Sequence, residues 1–121
     1  MSQDNIANAI REIETSGGFA IFLADEGKNY YMQVSIQANQ SQVYGEAVGN
    51  GFLADDTQLS SEALSRLEEL GWSLSGSAQS NYSQIWEGVS ANVVAKALAI
   101  TLQEVYGWNG SSELGITVER D

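Results

Sequence analysis

The chain has 121 residues, 43% of them apolar, with 16 acidic and 5 basic side chains and a formal net charge of −11. This length fits one domain over residues 1–121, and the apolar content is sufficient for a hydrophobic core. The excess of acids argues against binding to nucleic acid or to an anionic membrane surface, because both favour basic patches, and it suits a partner with basic segments.

The first half of the chain predicts one helix and three strands. Apolar residues recur at i, i+4 and i+7 before the chain breaks at 15–18, which indicates a helix with one buried face. An apolar period of two then predicts strands over 19–24, 30–36 and 43–48, joined as an antiparallel meander. The apolar positions of the helix are Ile6, Ile10 and Ile13.

The second half predicts two helices and two strands. Ser60 and Ser90 are the expected N-caps of the helices, and Gly71 ends the first of them. The helix after Ser90 has few polar positions and should be the most buried of the three. Strands are expected over 82–89 and through 114–118. The order α-β-β-β-α-β-α-β predicts an α+β fold whose largely antiparallel sheet has helices packed on one face.

The two faces of this sheet are expected to differ. An aliphatic face should pack against the helices, while the other face mixes aromatic and small polar side chains. That second face is either a solvated surface with scattered aromatics or a binding surface, because aromatic, partly polar patches are typical of protein interfaces. The expected packed face contains Ile21, Leu23, Met32, Val34, Ile116 and Val118, and the other contains Phe22, Tyr31, Gln33, Ser35, Tyr44 and Glu46.

A serine-rich run at 73–81 separates Trp72 from Tyr82 and Trp86. We interpret the run as a connector without chemistry of its own. A tryptophan just after a helix C-cap usually packs back on that helix, so Trp72 is assigned to the core. Trp86 stands on a strand whose facing the sequence leaves open, and it remains a candidate contact for a partner.

The residue inventory predicts no catalytic site and no cofactor or metal site. The chain contains neither histidine nor cysteine, so the usual general base and thiol chemistry are missing. Its acids fall in turns and on polar helix faces, where solvation is the ordinary interpretation. Asp55-Asp56 followed by Glu62 lacks the spacing and the glycine of a calcium loop. A hydrolase based on two carboxylates is a remote alternative.

The sequence indicates a cytoplasmic protein. The N-terminal residues, MSQDNIANAI, lack the basic start and apolar stretch of a secretory signal. The longest strongly apolar stretches, at 19–24 and 93–100, are too short to span a bilayer. The lack of cysteine agrees with a reducing compartment.

Several stretches together resemble a known family. They are GEAVGNGFL (45–53), LSSEALSRLEELGW (59–72), the pair Asn81-Tyr82 and LAITLQEVYGW (98–108), together with the meander. This combination, from about Gly18 to Val118, resembles the TY-Chap domain, related to YbjN-like proteins and to type III secretion chaperones of the Tir-chaperone kind. The resemblance implies a non-enzymatic, acidic, homodimeric chaperone-like domain that binds extended client segments along its sheet.

The leading hypothesis is a chaperone or co-chaperone domain that holds an extended or partly unfolded client segment on the sheet surface. The partner-binding candidates are Phe22, Tyr31, Tyr44 and Trp86. Unpaired main-chain groups at a sheet edge could add hydrogen bonds to such a segment. The alternative is a regulatory or structural protein that binds one folded partner.

Overall fold

The computed structural model describes residues 2–74 and 81–121, and in these residues three α-helices and six β-strands are present. Two short 3₁₀ helices, Asn50–Phe52 and Asp55–Thr57, lie in the connection after the third strand. The α-helices and strands are α1 (Ser2–Glu14), β1 (Gly18–Asp25), β2 (Tyr30–Ile36), β3 (Gln42–Ala47), α2 (Ser61–Glu69), β4 (Ser73–Leu74), β5 (Tyr82–Glu87), α3 (Ala91–Glu104) and β6 (Gly115–Arg120).

The strands form one antiparallel sheet in the order β4-β5-β3-β2-β1-β6. The expected meander is confirmed as β1-β2-β3, and β6 returns after α3 to pair with β1. The α+β class and the order of the long elements are therefore confirmed. The structure adds the short strand β4, which pairs Ser73 with Ser83 and Leu74 with Tyr82.

Local capping explains where α2 and α3 begin. The hydroxyl oxygen of Ser60 accepts a hydrogen bond from the amide of Ala63 at 3.1 Å. Ser90 accepts one from the amide of Val93 at 3.4 Å. Each serine thereby satisfies an amide that the first turn of a helix leaves without a partner, and both predicted N-caps are confirmed.

The end of α2 is a Schellman motif, in which two amides beyond the helix bond back to carbonyls of its last turn. Gly71 has a φ of +98°, a conformation that favours glycine. The amide of Gly71 donates to the carbonyl of Glu68, and the amide of Trp72 donates to that of Leu67. Leu67 and Trp72 are both buried, so the motif places the tryptophan against its own helix, as expected from the sequence.

The helices cover one face of the sheet, which we call the helix-covered face. Helix α1 contacts α3 and strands β1, β2 and β6, and α2 contacts α3. The residues that this face contributes to the core include Ala20, Phe22, Met32, Val34, Ile36, Val43, Ala47, Tyr82 and Trp86. Ile116 and Val118 of β6 pack against the edge of the same core.

The expected division of β1 between the two faces is wrong. Phe22 is fully buried, and the register sets it beside Met32 and Ile116 on the helix-covered face. Ile21 and Leu23 are only partly buried and lie on the opposite face. The cause is the composition of β1, because Gly18–Asp25 carries apolar side chains on both sides and its own alternation does not select the face that the helices cover.

Part of the serine-rich run is assigned differently from the sequence interpretation. Ser73–Leu74 are strand residues, while residues 75–80 lie outside the described residues. The following strand, β5, ends at Glu87, two residues earlier than expected. Among the described residues, no helix combines the length and the apolar character that a membrane span needs.

Candidate functional site

The described helices leave uncovered the sheet face opposite them, here called the open face. Its side chains alternate along each strand with those of the core, and none of them belongs to the fully buried set. The open face comprises Phe19, Ile21 and Leu23 of β1, Tyr31, Gln33 and Ser35 of β2, Gln42, Tyr44 and Glu46 of β3, Ser83, Ile85 and Glu87 of β5, and Thr117 and Glu119 of β6.

An apolar pair lies at the β3–β5 side of this face. Tyr44 and Ile85 are direct cross-strand neighbours and are 39% and 57% exposed. Tyr44 also lies opposite Ser35, and Ser35 lies opposite Phe19. Because neighbouring side chains on one face of a sheet are about 5 Å apart, these residues form a continuous row across the strands.

Two depressions of the open face adjoin this row. One has a volume of about 530 Å³ and is lined by Phe19, Ser35 and Tyr44 together with glutamine side chains. The other, of about 460 Å³, is lined by Ile21, Leu23 and Tyr31. Gln33 lines both depressions, so they meet at the centre of the sheet. Each combines an apolar floor with amide groups, as binding sites for peptide side chains do.

A hydrogen-bond network holds two open-face side chains in place. The side-chain nitrogen of Asn81 donates to the Tyr31 hydroxyl at 3.3 Å and to a carboxylate oxygen of Glu46 at 3.4 Å. The side-chain oxygen of Asn81 accepts from the amide of Gly49 at 3.2 Å. Asn81 therefore orients both Tyr31 and Glu46 from the end of β5.

Two of the four candidates from the sequence, Phe22 and Trp86, lie on the helix-covered face. Phe22 has no exposed surface and Trp86 has 9%. The Trp86 ring meets that of Trp72 edge to face, with 5.6 Å between centroids. Gly45 leaves room for both rings, because a Cβ atom there would lie 2.7 Å from the Trp86 ring and 3.2 Å from the Trp72 ring.

The facing of these two aromatics is fixed by the core. The indole nitrogen of Trp72 donates to the Thr101 hydroxyl of α3 at 3.0 Å, and Trp86 packs on this anchored ring. The open face thus contains Tyr31 and Tyr44 from the predicted set. Phe22 and Trp86 do not lie on the open face, because each alternates with an open-face neighbour on its own strand.

Sequence reasoning misses the apolar residues that accompany the tyrosines on the open face. It predicts Ile21 and Leu23 in the core, whereas both are only partly buried, and it does not single out Ile85, which is exposed. Ile85 could have been found from β5 alone, because Tyr82 and Trp86 have the same parity and Ile85 has the other. Nothing comparable in β1 distinguishes Ile21 from Phe22.

The described residues offer no metal site, since no group of three or more carboxylates among them is close enough to hold an ion. The most strongly perturbed ionisable group is Tyr106, whose pKa is raised above its ordinary value by burial. Its hydroxyl donates to the carbonyl oxygen of Val48 at 2.7 Å inside the core.

The chain matches a known protein family over nearly its whole length. The family model TY-Chap3, described as the type III secretion system (YopN, CesT) and YbjN peptide-binding chaperone 3, matches residues 3–119. No curated protein matches the chain. No solved structure matches it either.

Proposed function

The chain belongs to the TY-Chap3 family of peptide-binding chaperones, and from this premise we propose that residues 1–121 act as one non-enzymatic domain that holds an extended or partly unfolded client segment on the open face. The observation that supports the proposal is the exposed Tyr44–Ile85 pair, which borders a depression of about 530 Å³. Uncovered apolar patches of this kind mark interaction sites on soluble proteins.

The open face suits an extended segment better than a compact one. Side chains of an extended chain point alternately to opposite sides, so every second residue can reach the sheet. The two depressions are adjacent and meet at Gln33, so successive inward side chains of one segment can occupy both. Tyr31 and Tyr44 then provide aromatic contact area, each at one depression.

Glutamine side chains supply polar contacts for the backbone of the client. Gln33, Gln37, Gln40 and Gln42 line the larger depression. An amide side chain both donates and accepts hydrogen bonds, so it can pair with the peptide groups of a client without requiring a particular sequence. This combination of apolar pockets and amides is expected of a protein that binds a segment because it is extended and unfolded, with little dependence on its exact sequence.

The proposal also covers the setting of the activity. We place the domain in the cytoplasm, with a client protein or peptide as partner and without nucleic acid or membrane. The homodimer that the family resemblance implies would use another surface, so that the open face of each protomer stays free for its client.

Paired variants test the proposal. Tyr44→Ala combined with Ile85→Ala removes the exposed apolar pair of the open face, whereas Phe52→Ala combined with Val93→Ala removes side chains of 54% and 50% exposure elsewhere. Binding of fluorescent, unstructured peptides rich in Leu, Val and Phe, half of them acidic and half basic, is measured by anisotropy.

We expect the open-face pair of substitutions to weaken binding by about thirtyfold, the effect of losing about 2 kcal/mol at an interface centre. The control pair should change affinity less than about threefold, and the melting temperatures of both variants should stay close to that of the parent. Equal losses in the two variants would contradict the proposal. Binding of a single folded partner, without affinity for any peptide, would support a regulatory interaction protein instead.

A further inference from the structure

We propose that the open face selects client segments that carry positive charge between their apolar residues. This inference rests on the proposed function and specifies its client class. It comes from where the charges of this molecule lie, and not from their total number. Carboxylates project from the open face at its centre and at both sides, while every basic side chain lies elsewhere.

The carboxylates of the open face lie next to the row formed by Phe19, Ser35, Tyr44 and Ile85. Glu46 of β3 pairs with Gln33, between the two depressions. Glu119 of β6 lies opposite Phe19, and Glu87 of β5 lies at the other side of the sheet. In the described part of the chain, the ion pairs use Arg66 and Arg120, and none uses these three carboxylates. Their negative charge is therefore available to a ligand.

The five basic residues all lie outside the open face. Arg11, Arg66 and Lys96 belong to the helices. Lys28 lies in the β1–β2 turn, and its ammonium is 5.7 Å from the centre of the Tyr30 ring. Arg120, at the end of β6, reaches Glu12 of α1. A cationic segment on the open face would consequently meet carboxylates without competing bases.

The same charges disfavour the other occupants of the face. A second copy of this chain that docked there would bring its own Glu46, Glu87 and Glu119 against the first set, and both copies carry a net charge of −11. Like charges brought together in this way oppose association, and an acidic client would meet the same repulsion. A basic client gains electrostatic attraction as well as apolar contact.

The spacing of the carboxylates suggests the pattern of the client. Glu119 and Glu46 are separated by three inter-strand steps, roughly 14 Å across the sheet, and by two residues along β3, which together give roughly 16 Å. An extended peptide covers about 13 Å in four residues, and flexible lysine side chains can span the remaining few ångströms. Lysines four positions apart, with an apolar residue midway between them, can therefore reach both carboxylates while the apolar side chain faces the row at Phe19 and Ser35.

The test compares three unstructured peptides of equal length, with Leu and Val at the same positions. One carries Lys at two positions four apart, the second Glu at those positions, and the third Gln. Binding to the full chain is measured by fluorescence anisotropy at about 50 mM and about 500 mM salt. We expect the lysine peptide to bind at least about tenfold tighter than the glutamate peptide at low salt, and the difference to shrink at high salt because exposed ion pairs are screened.

Two triple variants with the same change in net charge locate the effect. Glu46→Gln, Glu87→Gln and Glu119→Gln together should reduce the preference for lysine over glutamate to about twofold. The matched control, Glu14→Gln, Glu62→Gln and Glu68→Gln, changes exposed carboxylates of α1 and α2 and should retain most of the preference. Equal losses in the two triple variants would overturn the proposal, because net charge alone would then explain the selectivity.

The remaining outcomes separate this inference from the proposed function. If all three peptides bind equally well and Tyr44→Ala with Ile85→Ala weakens each of them, the charge selection is wrong while client binding stands. If no peptide binds, the proposed function fails and the inference fails with it. If light scattering shows a dimer that Tyr44→Ala and Ile85→Ala dissociate, a second copy occupies the open face and the proposal is overturned.

Discussion

The helix-covered face and the open face are built from the same strands, yet a substitution on one should affect stability and on the other binding. Phe22 and Tyr31 illustrate the contrast, since both are aromatic and both lie in the β1–β2 hairpin. Phe22 is enclosed by the core, whereas Tyr31 lines an open depression. Residue type alone therefore does not identify a binding residue on a sheet, because the role of an aromatic side chain depends on whether helices cover the face on which it lies.

Phe22→Ala should change the free energy of unfolding more than any other substitution considered for the two faces. Removal of a fully buried phenylalanine leaves a cavity and should lower the free energy of unfolding by about 3–5 kcal/mol, as measured by urea denaturation. Tyr44→Ala, on the open face, should lower it by less than about 1 kcal/mol. A stable Phe22→Ala variant that had lost peptide binding would reverse the roles of the two faces.

Gly45→Ala should have the next largest effect. The added Cβ atom would press on the Trp86 and Trp72 rings at 2.7 Å and 3.2 Å, and such overpacking costs about 1–3 kcal/mol of unfolding free energy. Trp86→Leu should provide room for the new methyl group, so the two substitutions together should cost less than the sum of their separate effects. Additive costs in this double-mutant cycle would mean that the contact does not limit the packing.

The smallest of these effects on the core depends on pH. Burial raises the pKa of Tyr106, whose ordinary value is 10.0, so the folded state keeps the phenol proton at a pH where the unfolded state loses it. The contribution of Tyr106 to stability is therefore complete below pH 10 and falls as the pH rises above 10, by about 1.4 kcal/mol for each pH unit.

Tyr106→Phe tests this dependence by urea unfolding between pH 8 and 11. The variant should lose about 0.5–1.5 kcal/mol at pH 8, because the hydrogen bond to Val48 is gone, and should decline less steeply than the parent above pH 10. If the free energy of unfolding falls equally steeply with pH in parent and variant, groups other than Tyr106 cause the destabilisation above pH 10.

The elements of the fold could be predicted because their signals are local. Ser60 and Ser90 cap helices with their own side chains, and Gly71 is followed by a tryptophan that bonds back to Leu67. Each of these signals lies within a few residues of the boundary that it defines. The class and the order of the elements follow from such boundaries.

The facing of the strands could not be predicted in the same way. In β2, the polar residues Gln33 and Ser35 identify the solvated side, and the alternation correctly places Tyr31 with them. In β1, Phe22 and its neighbour Ile21 are both apolar, and only the pairing with Met32 and Ile116 reveals that Phe22 lies inside. That pairing joins residues far apart in the chain, so no local pattern contains it.

A titration of methyl groups tests most directly whether a client lies on the open face. Isoleucine, leucine and valine methyl groups of the full chain are labelled and observed by NMR while the lysine peptide is added. We expect the largest shifts at Ile21, Leu23 and Ile85, with little change at Val93, an exposed methyl-bearing residue of α3. Shifts centred on Val93 with unchanged Ile21, Leu23 and Ile85 would contradict client binding on the open face.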